Sequence, residues 1–362
     1  MSDLAALVTE TVGDAAGEWD VAGEIPVDVL RGLGAKGLLC AEVAAEHGGL
    51  DLSGVDNGEL TAHTGALCSS LRSVMTSQGM AAWTIQRLGD RVQRATHLAA
   101  LTGGSLAAVA FSEPGAGSDL AAMATTIRQD GDDVVVDGVK TWITAACYAD
   151  LVVVFGRYGN GAAAVVVPAD APGVRIDRVP EPMGCRAAGH ATVTLDSVRL
   201  PADAVLAAAG QPVTMLTTIA LTYGRLSVAW GCVGILRACL RAAVEHAGSR
   251  VQFGTRLLEH QLVARHVAEL YAAERSATYT CAEASAAWDE RSPRQAIAAV
   301  LAKHVASGGA ARGAASAVQV LASAGAADGH VVARAYRDAK LMEIIEGSTE
   351  ISQLILAEAA AP

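Results

Sequence analysis

Three stretches of distinct sequence pattern, helical, strand-like and again helical, follow one another along this 362-residue chain, and their order restricts the fold more than any single motif does. From residue 4 to about residue 101, apolar residues recur at helical spacing and glycines separate the segments. From Leu106 onward the chain carries short runs rich in Val, Ile and Thr, and after Pro212 long helical segments return. We therefore expect a mainly α protein with an N-terminal α-helical domain at 1–106, a middle β domain, barrel or sandwich, at 107–209, and a C-terminal four-helix bundle at 210–362.

The last pattern predicts four long helices, whose lengths are typical of a helix bundle. We expect them at Val213 to Ser249, Glu259 to Asp289, Pro293 to Ala324 and Asp328 to Ile345. The composition agrees, because 52% of the residues are hydrophobic and only 4% are aromatic, which suits closely packed Ala- and Leu-rich helices. The longest apolar run, Leu226 to Leu236, is too short to cross a bilayer and predicts a core helix with no membrane contact.

Charge and cysteine content exclude several classes of function. The formal net charge is -11, whereas a nucleic-acid binder needs a basic surface to meet phosphates, so we expect no nucleic-acid partner. The 7 cysteines form no CxxC pair and no two histidines stand at metal spacing, which predicts reduced buried thiols and no metal site. The N-terminus lacks a basic segment followed by an apolar one, so we expect no secretory signal and a cytoplasmic location.

Two motifs of the middle region could bind a cofactor. In AFSEPGAGSD, Ala110 to Asp119, glycines follow a predicted strand and would let backbone N–H groups approach an anion, although such a turn is more often a plain loop. The segment matches neither the P-loop nor GxGxxG. In GVKTWITAA, Trp142 and Thr144 alternate on one face of a predicted strand, where they could flank a planar cofactor or simply belong to the core.

A glutamate close to the C-terminus is the most specific catalytic candidate. Glu346 follows two isoleucines and precedes Gly347, and Ser348 or Thr349 can cap the next helix, so the carboxylate would lie at a helix junction among apolar residues. Burial without a cationic partner would raise its pKa and suit it to take a proton near neutral pH. A solvated surface glutamate is the alternative.

A fourth segment, SRVQFGTRLLEHQ, places Arg250, Phe253, His260 and Gln261 around a glycine. The arginine could clamp a phosphate while the phenylalanine packs on an adenine. A surface ion pair beside a core Phe fits the same pattern, so the segment alone leaves both interpretations open.

Together these four segments resemble the acyl-CoA dehydrogenase family, in the family's order and over essentially the whole chain. The resemblance implies an FAD-dependent dehydrogenase with the family's fold, with Glu346 as the base and with Arg225 and Gly347 near the substrate. It implies a homo-oligomer, dimer or tetramer, because the fourth segment matches a stretch that reaches the FAD of a neighbouring subunit. The residues that it assigns to FAD are Phe111, Ser112, Ser118, Trp142, Thr144, Arg250, Phe253, His260, Gln261, Gln319, Ser348 and Glu350.

Several positions depart from the family pattern. Gly224 stands where a minority of members carry their base, so Glu346 has no visible competitor. Ile345 replaces the usual tyrosine and Ser323 a usual glycine near the cofactor. In MGCRAAGHA, Met183 to Ala191, the common Arg-x-Ser-x-Thr pattern is absent, which could alter how the thioester binds.

Longer segments such as LCSSLRSVMTSQGMAAW, GCRAAGHA and YRDAKLMEIIEGS are similar to the acyl-carrier-protein dehydrogenases of methoxymalonyl and hydroxymalonyl extender-unit pathways in polyketide clusters, and so to antibiotic biosynthesis. This similarity implies dehydrogenation of a small hydroxylated acyl thioester on an acyl carrier protein, between glyceryl and hydroxymalonyl. The alternatives are a short-chain acyl-CoA dehydrogenase of catabolism and a carrier-binding relative without chemistry.

The resemblance leaves the electron acceptor open, with an electron-transfer flavoprotein as one option. Carrier proteins are generally acidic, so an acidic enzyme needs a local basic patch to bind one. Arg186, Arg241 and Arg337 are candidates for that patch.

Overall fold

The computed structural model describes residues 2–361, which begin with a set of helices. The two longest of these, α4 and α5, start at side-chain caps, since Ser53 accepts a hydrogen bond from the Asp56 N–H and Cys68 from the Leu71 N–H. An Asp90–Gln93 capping box starts α6. The bounds are α1 Ser2–Val12, α2 Ala16–Ala22, α3 Val27–Gly34, α4 Gly54–Leu67, α5 Ser69–Leu88 and α6 Arg91–Thr102.

A twisted sheet of seven strands follows the helices. The strands are β1 Ala107–Ala110, β2 Thr126–Asp130, β3 Asp133–Ile143, β4 Leu151–Tyr158, β5 Gly161–Pro168, β6 Val174–Arg178 and β7 Ala191–Pro201. Their order is β1-β4-β2-β3-β7-β6, and β5 pairs with β4. Almost every residue of β4 and β5 is buried, which explains why these two strands are continuous Val- and Ala-rich runs rather than alternating ones.

The chain ends in a helical bundle built around one central helix, α7, which packs against α4, α5, α8, α9 and α10. The bounds are α7 Val213–Ser249, β8 Val251–Gln252, β9 Thr255–Arg256, α8 Gln261–Asp289, α9 Gln295–Leu321, α10 Val331–Met342 and α11 Thr349–Ala360. By length and hydropathy α7 could cross a membrane, but 83% of its most apolar window is buried inside the protein, so it is a core helix.

The predicted fold class is confirmed, with helices, a β domain and a helical bundle in that order. The domain limits predicted at 106/107 and 209/210 fall in the connections before β1 and before α7. All 7 cysteines are free thiols, and six of them are buried. Within residues 2–361, no group of three or more His, Cys, Asp or Glu residues could hold a metal ion.

Two local predictions were wrong. Trp142 and Thr144 do not alternate on one strand face, because the β3–β7 register shifts between Lys140 and Ile143, Trp142 has a positive φ of 58° and β3 ends before Thr144. The helix expected to reach Ile345 ends at Met342 instead. A turn follows, and its residues Glu346 and Gly347 have positive φ, a conformation that a continued helix does not allow.

Glycines let α4 and α7 approach each other closely. A Cβ on Gly58 of α4 would lie 2.2 Å from Nε1 of Trp230 on α7, and one on Gly234 would lie 2.1 Å from the Ala62 carbonyl oxygen. Trp230 is fully buried and donates a hydrogen bond of 2.9 Å to Ser285 Oγ, so it has no room to move. The helix crossing therefore depends on the absence of side chains at these positions.

We predict that Gly58→Ala destabilises the protein by about 1–3 kcal/mol, because the added methyl group forces Trp230 or the helix axis to shift. Urea unfolding followed by circular dichroism measures the change. Gly32→Ala is the matched control, since Gly32 is an exposed helical glycine whose added Cβ would meet nothing within 4 Å. Equal stability of the two variants would contradict the packing argument.

Candidate active site

One cavity of about 750 Å³ lies between α5, the ends of β1 and β3, and the turn that follows α10. It is lined by residues from all three domains, so the fold brings three of the four predicted motifs together. The predicted site residues on its wall are Phe111, Ser112, Ser118, Trp142, Thr144, Glu346, Gly347 and Ser348.

The β-domain side of the cavity suits a planar ring with an anionic tail. Trp142 is 56% exposed and lines the cavity with a positive φ, which is rare for a bulky residue and points to a functional constraint. Hydroxyls of Ser112 and Thr144 line the same wall. Added Cβ atoms on Gly115 or Gly117 would meet nothing within 4 Å, so the backbone of that loop is open to a ligand. These features fit FAD.

A buried ion pair holds the glycine-containing loop against the sheet. Lys140 Nζ donates hydrogen bonds to Glu113 Oε1 at 2.7 Å and to the Phe111 carbonyl at 3.0 Å, while Glu113 also accepts from the backbone N–H groups of Ala124 and Thr125. The sequence motifs did not predict this pair. Lys140 lies at one of the strand positions that face inward, and a lysine there was the available signal.

The turn that carries Glu346 is held by two cations from the helical bundle. Glu346 and Gly347 have positive φ values of 55° and 95°. Arg225 Nε donates to the Glu346 carbonyl oxygen at 3.0 Å, and Lys303 Nζ donates to the carbonyl oxygens of Gly347 at 2.6 Å and Glu343 at 3.3 Å. The cations bind backbone carbonyls and leave the carboxylate free. Lys303 was missed, because a single lysine in an Ala-rich helix gives little sign of its partner.

The carboxylate of Glu346 is poised to take a proton. Its Oε2 is buried and, within residues 2–361, has no hydrogen-bond partner. Burial raises the pKa of Glu346 from 4.5 to about 7, and the charges of Arg225, Lys303 and Arg72 oppose that shift. None of these three cations forms an ion pair with the carboxylate, so the pKa of Glu346 is raised as expected for burial without a cationic partner.

Gly224 creates the space in which this carboxylate lies. A Cβ on Gly224 would be 2.6 Å from Glu346 Oε2 and 2.7 Å from Met80 Sδ. A side chain at position 224 would thus displace the carboxylate. Glycine at this position therefore has a steric role, in addition to leaving Glu346 as the only candidate base at the two positions.

Helix α5 presents a polar face to the cavity. Arg72, Ser73, Thr76 and Ser77 all line it, and all four are buried. Arg72 is fully buried, its Nη atoms donate only to Thr76 Oγ1 and Met342 Sδ, and its Nε has no partner in the described part of the chain. A buried guanidinium without a carboxylate is costly, which makes it a candidate for binding a ligand. Sequence analysis did not single it out.

The remaining predicted cofactor residues lie away from this cavity. Arg250, Phe253, His260 and Gln261 belong to the β8–β9 hairpin and the start of α8, where Phe253 is 96% exposed. Gln319 is exposed near the end of α9. Glu350 is exposed in the first turn of α11, and Ser348 is the N-cap of that helix. Arg225 contacts the turn itself rather than the cavity.

Three family models cover nearly the entire chain. Those of the acyl-CoA dehydrogenase N-terminal, middle and C-terminal domains match residues 2–105, 108–198 and 213–361. The chain is 31% identical to the human mitochondrial short-chain specific acyl-CoA dehydrogenase over 341 residues, which are 92% of this chain and 82% of that protein.

Solved structures show the same similarity. FkbI, a protein for biosynthesis of the methoxymalonyl extender unit of the polyketide immunosuppressant FK520, is 63% identical with a TM-score of 0.95, and 99% of each chain is covered. A glutaryl-CoA dehydrogenase from Mycobacterium smegmatis, solved in complex with FADH2, is 25% identical with a TM-score of 0.94 over 99% of this chain and 93% of that one.

We predict that Lys303→Met moves the pH dependence of proton abstraction to higher pH. Glu346 acts as a base only when ionised, and its ionised fraction rises with pH through about 7. Loss of one opposing cation raises that pKa further, so the rate at pH 7 should fall by about twofold to tenfold and recover at higher pH. The measurement is loss of deuterium from the α-carbon of a labelled thioester across a pH series.

Lys303→Arg, which keeps the charge, should restore the wild-type midpoint, and the exposed Lys36→Met serves as a neutral control. An unchanged midpoint in Lys303→Met would show that this lysine does not set the pKa of Glu346.

Proposed function

The chain belongs to the acyl-CoA dehydrogenase family, and we propose that it dehydrogenates a short, hydroxylated acyl group held as a thioester on an acyl carrier protein. It is a flavin-dependent oxidoreductase, as its family is. The substrate is inferred from the similarity to FkbI and from the cavity. The reaction would lie between a glyceryl and a hydroxymalonyl thioester in extender-unit biosynthesis.

The polar face of α5 is the observation that carries this proposal. A hydrocarbon chain would be bound by an apolar wall, as is usual for pockets that take fatty acyl groups. Here the wall contains Arg72, Ser73, Thr76 and Ser77, and Arg72 has no anionic partner among the described residues. The three hydroxyls already donate to protein acceptors, so Arg72 Nε is the donor that lacks a partner within residues 2–361. An acyl group rich in oxygen can accept from this guanidinium, whereas a butyryl group would leave it buried and unpaired.

Glu346 would perform the proton transfer. A thioester makes its α-hydrogen acidic, and Oε2, which has no competing hydrogen bond, would take that proton. The backbone N–H of Glu346 donates to no acceptor within residues 2–361, so it is free to bond the thioester oxygen as negative charge develops there. Arg225 and Lys303 keep this N–H and the carboxylate in a fixed relation by holding the carbonyls of the turn.

FAD is the cofactor of this family, and when bound it supplies an acceptor for the hydride from the β-carbon. Phe111, Ser112, Trp142 and Thr144 would hold its ring, and Ser118 its pyrophosphate. Trp142 lines the cavity and would shield one side of the reacting carbons from water. Gly347, Ser348 and Glu350 would complete the site from the turn and the start of α11.

A homo-oligomer accounts for the predicted residues that lie outside the cavity. Arg250, Phe253, His260, Gln261 and Gln319 would complete the FAD site of a neighbouring subunit. Phe253 combines a positive φ of 52° with 96% exposure, as expected of a side chain held out for a partner surface.

Arg241 is the best of the three arginines proposed for carrier docking. Arg186 and Arg337 are both engaged with Asp20 and Asp328, so their charges are largely neutralised. Arg241 is exposed on α7 and forms no salt bridge in the part of the chain that the structure describes.

We predict that glyceryl- or 2-hydroxy-3-oxopropionyl-carrier protein bleaches the flavin band of the purified protein under anaerobic conditions, and that butyryl-CoA does so far more slowly. Glu346→Gln should lower the bleaching rate by at least about 10²–10⁴-fold, because it removes the base while keeping size and shape. A visible spectrum recorded over time measures both effects.

The variant's own flavin band before substrate addition is the control for folding and cofactor content. Bleaching by butyryl-CoA alone would place the protein in ordinary acyl-CoA catabolism. A colourless protein that cannot be reconstituted with FAD would point to a carrier-binding relative without chemistry.

A further inference from the structure

We propose that His190 is a specificity-determining residue that accepts, through Nε2, a hydrogen bond from a hydroxyl of the acyl group. The inference rests on the proposed function, because it concerns how that same cavity distinguishes a hydroxylated acyl group from a plain one. His190 lies immediately before β7, four residues after Arg186, where the Arg-x-Ser-x-Thr pattern has its threonine. It replaces a threonine of that pattern by a larger, two-nitrogen ring.

The imidazole of His190 is held next to Thr144 and Trp142. Nδ1 lies 3.2 Å from Thr144 Oγ1, and the ring centroid is 6.0 Å from that of Trp142. His190 lines the cavity together with Glu346 and Arg72. Its Nε2 is buried and has no hydrogen-bond partner within residues 2–361. One ring nitrogen is thus anchored and the other is left for a ligand.

The unpaired polar atoms of the protein are concentrated in this cavity. Six buried side-chain nitrogen or oxygen atoms have no partner in the described chain, and three of them, Arg72 Nε, His190 Nε2 and Glu346 Oε2, belong to residues that line it. Buried polar groups are normally satisfied, so this clustering indicates a ligand that supplies the missing hydrogen bonds.

The ring is neutral and therefore carries a single proton. Burial lowers the pKa of His190 to about 4, and the charge of Arg72 acts in the same direction. A hydrogen bond to the Cys185 backbone opposes this shift without cancelling it. At neutral pH one nitrogen is a donor and the other an acceptor.

The neighbouring hydroxyl decides which nitrogen is the acceptor. Thr144 has one hydroxyl proton, and in the proposed complex it donates this proton in a hydrogen bond to the cofactor ring. Its oxygen must then accept from His190, so the proton is on Nδ1 and Nε2 presents a lone pair to the cavity. A substrate hydroxyl donates to that lone pair, whereas a methylene leaves it buried and unpaired, which penalises the plain acyl group.

Binding to enzyme that cannot turn over tests the inference. In FAD-loaded Glu346→Gln protein, calorimetry would compare the dissociation constants of 3-hydroxypropionyl- and propionyl-carrier protein. We expect the hydroxylated thioester to bind about tenfold to a hundredfold more tightly, and His190→Phe in the same background to abolish most of that preference. His190→Asn, whose amide oxygen can accept a hydrogen bond, should retain part of it.

His97→Phe, a substitution outside the cavity, should leave the preference unchanged. If His190→Phe binds FAD and keeps the full preference for the hydroxylated thioester, the inference is wrong while the proposed function stands. If neither thioester binds to protein with intact His190, both the inference about His190 and the proposed function are overturned.

The protonated nitrogen can be observed without any substrate. Selective ¹⁵N labelling of histidine, with His190 identified by its absence in His190→Asn, reports the tautomer through the two ring nitrogen shifts. The inference requires the proton on Nδ1 of the FAD-loaded protein. A neutral ring with the proton on Nε2 would overturn it, because that nitrogen could then only donate.

Discussion

A buried lysine and a partly buried arginine hold the turn that carries Glu346, and the chemistry of the site depends on which atoms they bind. Arg225 and Lys303 donate to backbone carbonyls of the turn and not to the carboxylate. The backbone is therefore fixed in a left-handed conformation while Oε2 stays unpaired. A direct ion pair would favour the charged carboxylate and lower its pKa. Because the cations bind the carbonyls instead, they only partly offset the effect of burial. The pKa of Glu346 is therefore raised to about 7.

The same helix links this turn to the packing of the whole bundle. Arg225 and Gly224 belong to α7, whose position is set by the close glycine-mediated contact with α4. Gly224 leaves room for the carboxylate, and the next residue holds its backbone. A shift of α7 by a fraction of an ångström would alter both, which makes the site sensitive to core packing far from the cavity.

The sequence predicted those features that depend on local signals. The bounds of α7 at Val213–Ser249 followed from an unbroken helical pattern, and the helix junction at Glu346 followed from Gly347 and a capping Ser348. The buried cations Arg72 and Lys303 could not be predicted in this way, because their partners come from elements far apart in the chain. Strand periodicity also could not reveal that the backbone turns to positive φ within β3, close to its end.

The protonation state of Glu346 is the central claim, and infrared difference spectroscopy measures it directly. We expect a protonated carboxyl band that disappears with a midpoint near pH 7 in the wild-type protein and is missing in Glu346→Gln. A band that is already lost near the ordinary glutamate pKa of 4.5 would contradict it, because the carboxylate would then be solvated or paired rather than buried and free.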